Sequence, residues 1–186
     1  MIKAIQLQLA APAYQMHGVI SESDGTSYTL TSDYVAPDRY QITREGEVVK
    51  GIGGKKSETI AIGKDTWSKM DDQPWRKSPV NMSGMMNIQK SSLNELSNDK
   101  TADVKFIGTE SLDGATMNVY QFSFDKKDED TDGTIKSTGK YWIGTTDNLP
   151  RKFEGETQMI GKTETHTTKT SGTYDYNTGA KIEPPM

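Results

Sequence analysis

Apolar residues recur along this chain mostly at every second position. The runs that carry them are short and bounded by turn residues, the pattern of a meandering antiparallel sheet with one wetter face. The exception comes first: Ile2, Ile5 and Leu9 with interleaved alanines follow helical spacing as far as Pro12, which predicts a short helix over residues 2–11. Tyr14 to Ser21 reads as a strand, Asp24-Gly25 as a hairpin turn, and Ser27 to Val35 as its partner, with Tyr28, Leu30 and Tyr34 on one face. Ala36-Pro37-Asp38 interrupts the alternation before Arg39 to Thr43, and Glu45-Gly46 turns into a further strand over Glu47 to Ile52. Glu58 to Ile62 then alternates through Ile60 and Ile62, and Thr66 to Met70 follows Gly63-Lys64-Asp65, ahead of the Asp71-Asp72-Gln73-Pro74 turn and Trp75. The predicted meander occupies residues 14–77.

The middle of the chain changes character. Val80, Met82, Met85, Met86, Ile88, Leu93 and Leu96 lie among serines and asparagines without β-branched alternation, which predicts one or two short helices over residues 80–98. Strands return over residues 103–178. Asp103 to Glu110 and Thr116 to Phe124 flank the Asp113-Gly114 turn, and Tyr120, Phe122 and Phe124 share a face. Beyond an acidic loop over Asp125 to Gly133, Ile135 to Gly144 carries Tyr141, Trp142 and Ile143, and Arg151 to Ile160 follows the turn at Asp147-Asn148-Leu149-Pro150. The threonine-rich stretch Thr163 to Tyr176 predicts one or two more strands, and residues 180–186 an extended, proline-containing tail.

At 186 residues the chain suits a single domain spanning 1–186. Its 32% hydrophobic content and mean hydropathy of −0.74 are low, so the alternating aromatics argue for a thin sheet against disorder. The net charge of −4 with basic residues scattered among acids speaks against nucleic acid as a partner. The absence of cysteine removes disulfides, thiolate metal sites and cysteine nucleophiles together. No run approaches the ~20 apolar residues that cross a bilayer as a helix.

Candidate chemistry is sparse. Asp128, Asp130 and Asp132 with Gly133 begin like a calcium-binding loop and Ile135 takes its apolar position, but Gly139 stands where a bidentate glutamate is needed. The expectation is a solvated acidic hairpin, with calcium as the alternative and otherwise no cofactor. Gly51-Ile52-Gly53-Gly54-Lys55-Lys56-Ser57 is no phosphate loop, because no helix pattern follows to place a dipole behind the phosphate. Neither His17 nor His166 has a nearby carboxylate at a spacing that makes a metal site or a triad, and no nucleophile and base pair stands out, so no catalytic residue is assigned and no enzyme is expected. Trp67, Trp75 and Trp142, close to Lys69, Arg76 and Lys77, suit either sheet corners, which is the expectation, or an amphipathic rim for a membrane.

Several local phrases carry a resemblance: Ala36-Pro37-Asp38-Arg39-Tyr40, Ile60-Ala61-Ile62-Gly63 with Asp65-Thr66-Trp67, Gln73-Pro74-Trp75-Arg76-Lys77, and Tyr141-Trp142-Ile143 before Leu149-Pro150-Arg151-Lys152. With the order of elements, they resemble the LolA/LppX/LprG-like superfamily of exported lipoprotein-binding and lipid-binding proteins. The resemblance implies an α+β, mainly β fold: a strongly curved antiparallel sheet forming an open half-barrel, with a short N-terminal helix and central lid helices. It also implies a strand arginine holding the lid; Arg39 and Arg44 are the candidates, and neither is assigned that role.

The functional expectation is non-covalent binding or carriage of the acyl chains of a lipid or lipoprotein, outside the cytoplasm. The proposed cavity is walled by Tyr28, Leu30, Ile42, Ile60, Ile62 and Trp67 and covered by Met82, Met85 and Met86, whose flexible side chains repack around varied chains. The partner is then a lipid or a lipidated protein, the protein a monomer, and the membrane tether a lipid on a residue upstream of Met1. The alternative is a cell-surface interaction or sensor module whose concave face is filled by its own side chains.

Overall fold

The computed structural model describes residues 1–46, 54–79, 102–128 and 133–186. A helix, α1 (Ile2–Leu9), precedes eleven strands among these residues: β1 (Ala13–Glu22), β2 (Ser27–Val35), β3 (Arg39–Gly46), β4 (Lys56–Ile62), β5 (Asp65–Met70), β6 (Arg76–Lys77), β7 (Asp103–Leu112), β8 (Ala115–Asp128), β9 (Gly133–Gly144), β10 (Pro150–Ile160) and β11 (Thr165–Asp175). All join one antiparallel sheet in the order β6-β5-β4-β3-β2-β1-β11-β10-β9-β8-β7. Two hairpin meanders therefore meet where β1 pairs with β11, Met16 opposite Tyr174. The outer strands β6 and β7 do not pair with each other, so the curved sheet is an open half-barrel.

The turns follow from local chemistry. Asp113 and Gly114 both have positive φ, 51° and 78°, the backbone of a two-residue hairpin turn whose twist matches that of its strands. At the β1–β2 turn the Asp24 carboxylate accepts the Thr26 N–H at 2.8 Å, and Gly25 takes φ 90°. Helix α1 ends at Leu9, two residues earlier than its spacing predicts, with Ala10 closing the last turn ahead of Pro12. It has no side-chain cap and no acidic residue in its first turn. Eight residues make a marginal helix alone, so its stability comes from packing Ala4, Ile5 and Gln8 onto the sheet.

Two expectations change, and others fall outside the described residues. The segment Asp125–Asp128 is strand: Asp125 stands opposite Lys136 and pairs with it at 3.4 Å, an acid–base pair that extends the β8–β9 ladder beyond Phe124. The expected acidic loop thereby loses Asp125–Asp128 and Gly133 to strands, and Asp130 and Asp132 lie outside the described residues. Strand β3 runs through Glu45-Gly46, where a turn was expected, and pairs directly with β4, Glu45 opposite Lys56. The strand predicted over Glu47 to Ile52 and the helices predicted over residues 80–98, Met82, Met85 and Met86 included, also lie outside the described residues.

The bend of the sheet is recorded in its glycines. On the face that carries α1, Gly172 sits opposite both Gly18 and Phe153, and Gly139 opposite both Gly155 and Phe122. A Cβ at Gly172 would stand 2.8 Å from the Phe153 ring, and one at Gly139 would stand 2.7 Å from the Phe122 ring. Each glycine thus lets an aromatic ring lie flat on the backbone of the neighbouring strand, covering a main chain with no side chain of its own.

Candidate binding surface

Register sorts every strand residue onto one of two faces. Along β1 to β4 the face that continues from Tyr14 and Met16 carries Leu30, Ser32 and Tyr34, then Tyr40 and Ile42, then Thr59 and Ala61. Across the β1–β11 junction it carries Tyr174, then Phe153, Tyr141, Tyr120, Phe122 and Phe124, and Val104. Helix α1 lies on this face, with Ala4 and Ile5 packed into the cluster of Phe122, Tyr141 and Ile143. This is the concave face: its central band is apolar and aromatic, flanked by Ser32, Thr59, Arg44, Ser137 and Thr170.

Its centre is a continuous aromatic ladder across seven strands. Ring centroids lie 5.1 Å apart for Tyr40 and Tyr34, 5.2 Å for Tyr34 and Tyr14, 6.1 Å for Tyr14 and Tyr174, 5.3 Å for Tyr174 and Phe153, 6.3 Å for Phe153 and Tyr141, and 5.7 Å for Tyr141 and Phe122. Such tilted pairs contribute about 0.5–1.5 kcal/mol each beyond the area they bury. The ladder makes the floor stiff and smooth, since each ring has only two side-chain torsions and neighbours on both sides. At its ends the face continues in half-buried side chains, Ile20 and Tyr28 at one and Val104, Tyr120 and Phe124 at the other.

The six sheet residues expected to form one wall divide between the two faces. Tyr28, Leu30 and Ile42 lie on the concave face, Leu30 and Ile42 buried in the cluster with Tyr14 and Tyr34. Ile60, Ile62 and Trp67 lie on the opposite, convex face: Ile42 stands across from Thr59, so Ile60 turns the other way and pairs with Gln41 and Trp67. Each strand's alternation is visible in sequence, but the parity that faces inward is set by pairing. Of the residues missed for the concave wall, Tyr14 lies in an alternating run on β1, whereas Tyr174 is the one large apolar residue of the threonine-rich β11 and Phe153 stands among charged neighbours on β10.

One polar side chain against this face stands apart because it lacks a partner. Gln8, on the buried side of α1, is 1% exposed, and neither its amide nitrogen nor its amide oxygen makes a hydrogen bond. It sits near enough to Tyr174 to lower that phenol's pKa slightly, without reaching hydrogen-bond geometry. The Tyr176 hydroxyl is likewise buried without a partner. Burial pushes the phenols of Tyr14, Tyr141, Tyr174 and Tyr176 well above the ordinary tyrosine range, reinforced by the hydroxyls around them. An unpaired buried amide costs about 1–3 kcal/mol, so Gln8 is a departure from the surrounding packing logic.

On the convex face the groups are solvated and paired. Each tryptophan lies under a lysine ammonium: Trp67 under Lys77 at 5.7 Å, Trp75 under Lys69 at 5.0 Å, and Trp142 under Lys152 at 4.4 Å from the ring centroid. Trp142 packs on Met117 and Val119 and donates its indole N–H to Glu110 at 2.7 Å, which makes it a corner residue. Arg39 donates to the Ile182 carbonyl at 2.6 Å and ties the tail down, with Ile182 itself buried. Arg44 lies on the concave face opposite Leu30, beside Tyr28. A shallow depression of about 520 Å³ over β1, β11, β10 and β9 is lined by Val19, Lys140, Glu154, Glu156, Lys169 and other polar residues.

Folding also gives His166 a carboxylate from the far end of the chain. The β1–β2 turn brings Glu22 to 2.8 Å from Nε2 and Ser23 Oγ to 3.3 Å from Nδ1. Thr168 donates to the same Glu22 carboxylate at 2.6 Å, and Ser23 is further engaged by the Thr167 N–H. This exposed cluster joins two hairpin ends. His17 contacts Thr31 Oγ1 at 2.9 Å. Among the described residues no group of three or more His, Cys, Asp or Glu side chains gathers to hold a metal, and no helix is long and apolar enough to cross a membrane.

No protein-family profile matches the sequence, and no curated protein is significantly similar to it. Similarity lies in the fold. The chain superposes on LprF from Mycobacterium bovis with a TM-score of 0.63 and 10% identity, over 100% of this chain and 94% of that one. It superposes on the lipoprotein LppX of Mycobacterium tuberculosis with a TM-score of 0.57 and 11% identity, over 98% and 97%. The fold is that of LprF and LppX.

Proposed function

We propose that this protein binds the acyl chains of a lipid or lipidated protein, non-covalently, against the concave face of the half-barrel, outside the cytoplasm. The observation that carries the proposal is the extent of one apolar face against its cover. The aromatic ladder crosses seven strands, six strand-to-strand steps of about 4.8 Å or about 29 Å along the sheet, whereas an eight-residue helix is about 12 Å long. Helix α1 therefore accounts for one part of the face.

The chain itself suggests the remaining cover. Between Lys77 on one edge strand and Asp103 on the other, it must travel from one rim of the half-barrel to the other, and that interval holds Met82, Met85 and Met86. A methionine-rich lid there would repack around chains of differing shape. Each buried CH₂ contributes about 0.8 kcal/mol, so acyl binding needs no catalytic group. The fold of the lipoprotein LppX is consistent with this reading, as is a monomer of one domain tethered by a lipid upstream of Met1. Organic extraction of protein purified from cells, followed by mass spectrometry, tests it: co-purified acyl lipid in near-stoichiometric amount is expected, and its absence together with no uptake of a fluorescent acyl ester would overturn it. The latter result would favour the interaction module with a self-filled core.

A further inference from the structure

The buried polar cluster beneath α1 has no role in holding an acyl chain, and its chemistry is specific. Gln8 is enclosed, with the donor and the acceptor of its amide both unpaired, and the Tyr176 hydroxyl is buried unpaired as well. The Tyr174 and Tyr176 ring centroids lie 6.4 Å apart, and beyond burial Tyr141 raises the pKa of the Tyr174 phenol while Tyr176 raises that of Tyr141. Amide and phenol can each donate and accept, so the cluster offers both halves of a hydrogen-bond pair. It offers no charge: the cation beside it, Arg151, stacks on the Tyr176 ring at 4.9 Å and is bonded to Asp147.

We infer that Gln8, with the hydroxyls of Tyr174 and Tyr176, is a polar anchor that takes an uncharged hydrogen-bonding group of the ligand, an ester carbonyl or a hydroxyl borne on acyl chains. This rests on the acyl-binding reading above and narrows its ligand class to neutral acylated molecules over free carboxylates. The same desolvation that holds the tyrosines protonated would penalise an ionised headgroup placed among them. A neutral carbonyl entering beside Gln8 would instead satisfy the amide that the folded protein leaves open.

The test titrates the full chain at neutral pH with three pyrene-labelled probes of equal chain length: a fatty-acid methyl ester, the free fatty acid and a plain alkylpyrene. The ester is expected to bind about tenfold more tightly than either of the others, the effect of one buried hydrogen bond. Gln8→Leu is expected to bind ester and hydrocarbon alike and to melt at a higher temperature than the wild type, because a buried unpaired amide has been replaced by an apolar group of similar size. Tyr176→Phe should reduce the ester preference in part. Unchanged ester preference in Gln8→Leu, a lowered melting temperature, or equal wild-type affinity for all three probes would overturn the anchor while leaving acyl binding intact. Failure of the wild type to bind any probe would overturn the acyl-binding reading and the anchor with it.

Discussion

The ring of Phe122 lies over Gly139 across the β8–β9 pair, so closely that a Cβ at residue 139 would stand 2.7 Å from it and nearer still to the Glu154 carbonyl. That contact couples the curvature of the sheet to the aromatic floor. Gly139→Ala is expected to destabilise the protein by about 1–3 kcal/mol through overpacking, lowering Tm by several degrees on the order of 2–4 °C per kcal/mol. Thermal melting followed by near-ultraviolet circular dichroism would show it, and an unchanged Tm would mean that the strand does not need glycine there.

The aromatic ladder predicts a contrast between ring and hydroxyl. Tyr34 is 3% exposed, lies between Tyr14 and Tyr40, and donates its hydroxyl to the Pro37 carbonyl at 3.3 Å. Tyr34→Ala should cost about 3–5 kcal/mol, as for other buried aromatic truncations, and Tyr34→Phe about 1 kcal/mol. Urea unfolding of the two variants separates ring from hydroxyl; equal effects would place the stabilisation in the hydrogen bond.

Alkaline pH should act through the same face. The folded-state pKa values of Tyr14, Tyr141, Tyr174 and Tyr176 are raised above the unfolded value of 10, so the folded state keeps protons that the unfolded state releases. Their contribution is complete below pH 10 and is lost as pH climbs through the folded values. A spectrophotometric phenolate titration of the eight tyrosines should end in a cooperative step, coincident with unfolding, that carries Tyr14, Tyr141, Tyr174 and Tyr176. Smooth ionisation of all eight with the fold intact would contradict the burial described.

The tail supplies an independent check. Arg39→Met removes the donor to the Ile182 carbonyl and should render residues near the C-terminus cleavable by limited proteolysis at unchanged Tm. Resistance equal to wild type would show that the burial of Ile182 alone secures the tail.

Much of the fold is legible because the signals are local. Pro12, Asp24-Gly25, Asp113-Gly114 and the Asp147–Pro150 turn punctuate the chain where the elements end, and the every-second-residue pattern locates the strands. The wall was half legible. Leu30 and Ile42 fall on the concave face and Ile60 and Trp67 on the convex one because inward parity is decided by the register between β3 and β4, a non-local quantity. The pairing of β1 with β11, which brings Tyr14 to Tyr174 and Glu22 to His166, spans most of the chain and leaves no short-range trace. Gln8 was hidden for another reason: on a short amphipathic helix a glutamine reads as part of the solvated side until its face is known.

The central claim, that acyl chains occupy the concave face, is tested most directly by photocrosslinking with an acyl ester carrying a diazirine midway along its chain, followed by peptide mapping. The account predicts adducts on concave-face positions such as Tyr28, Leu30 and Phe153, suppressed by excess unlabelled ester. Adducts confined to Ile60, Ile62 and Trp67 on the convex face, or no suppressible labelling at all, would contradict it.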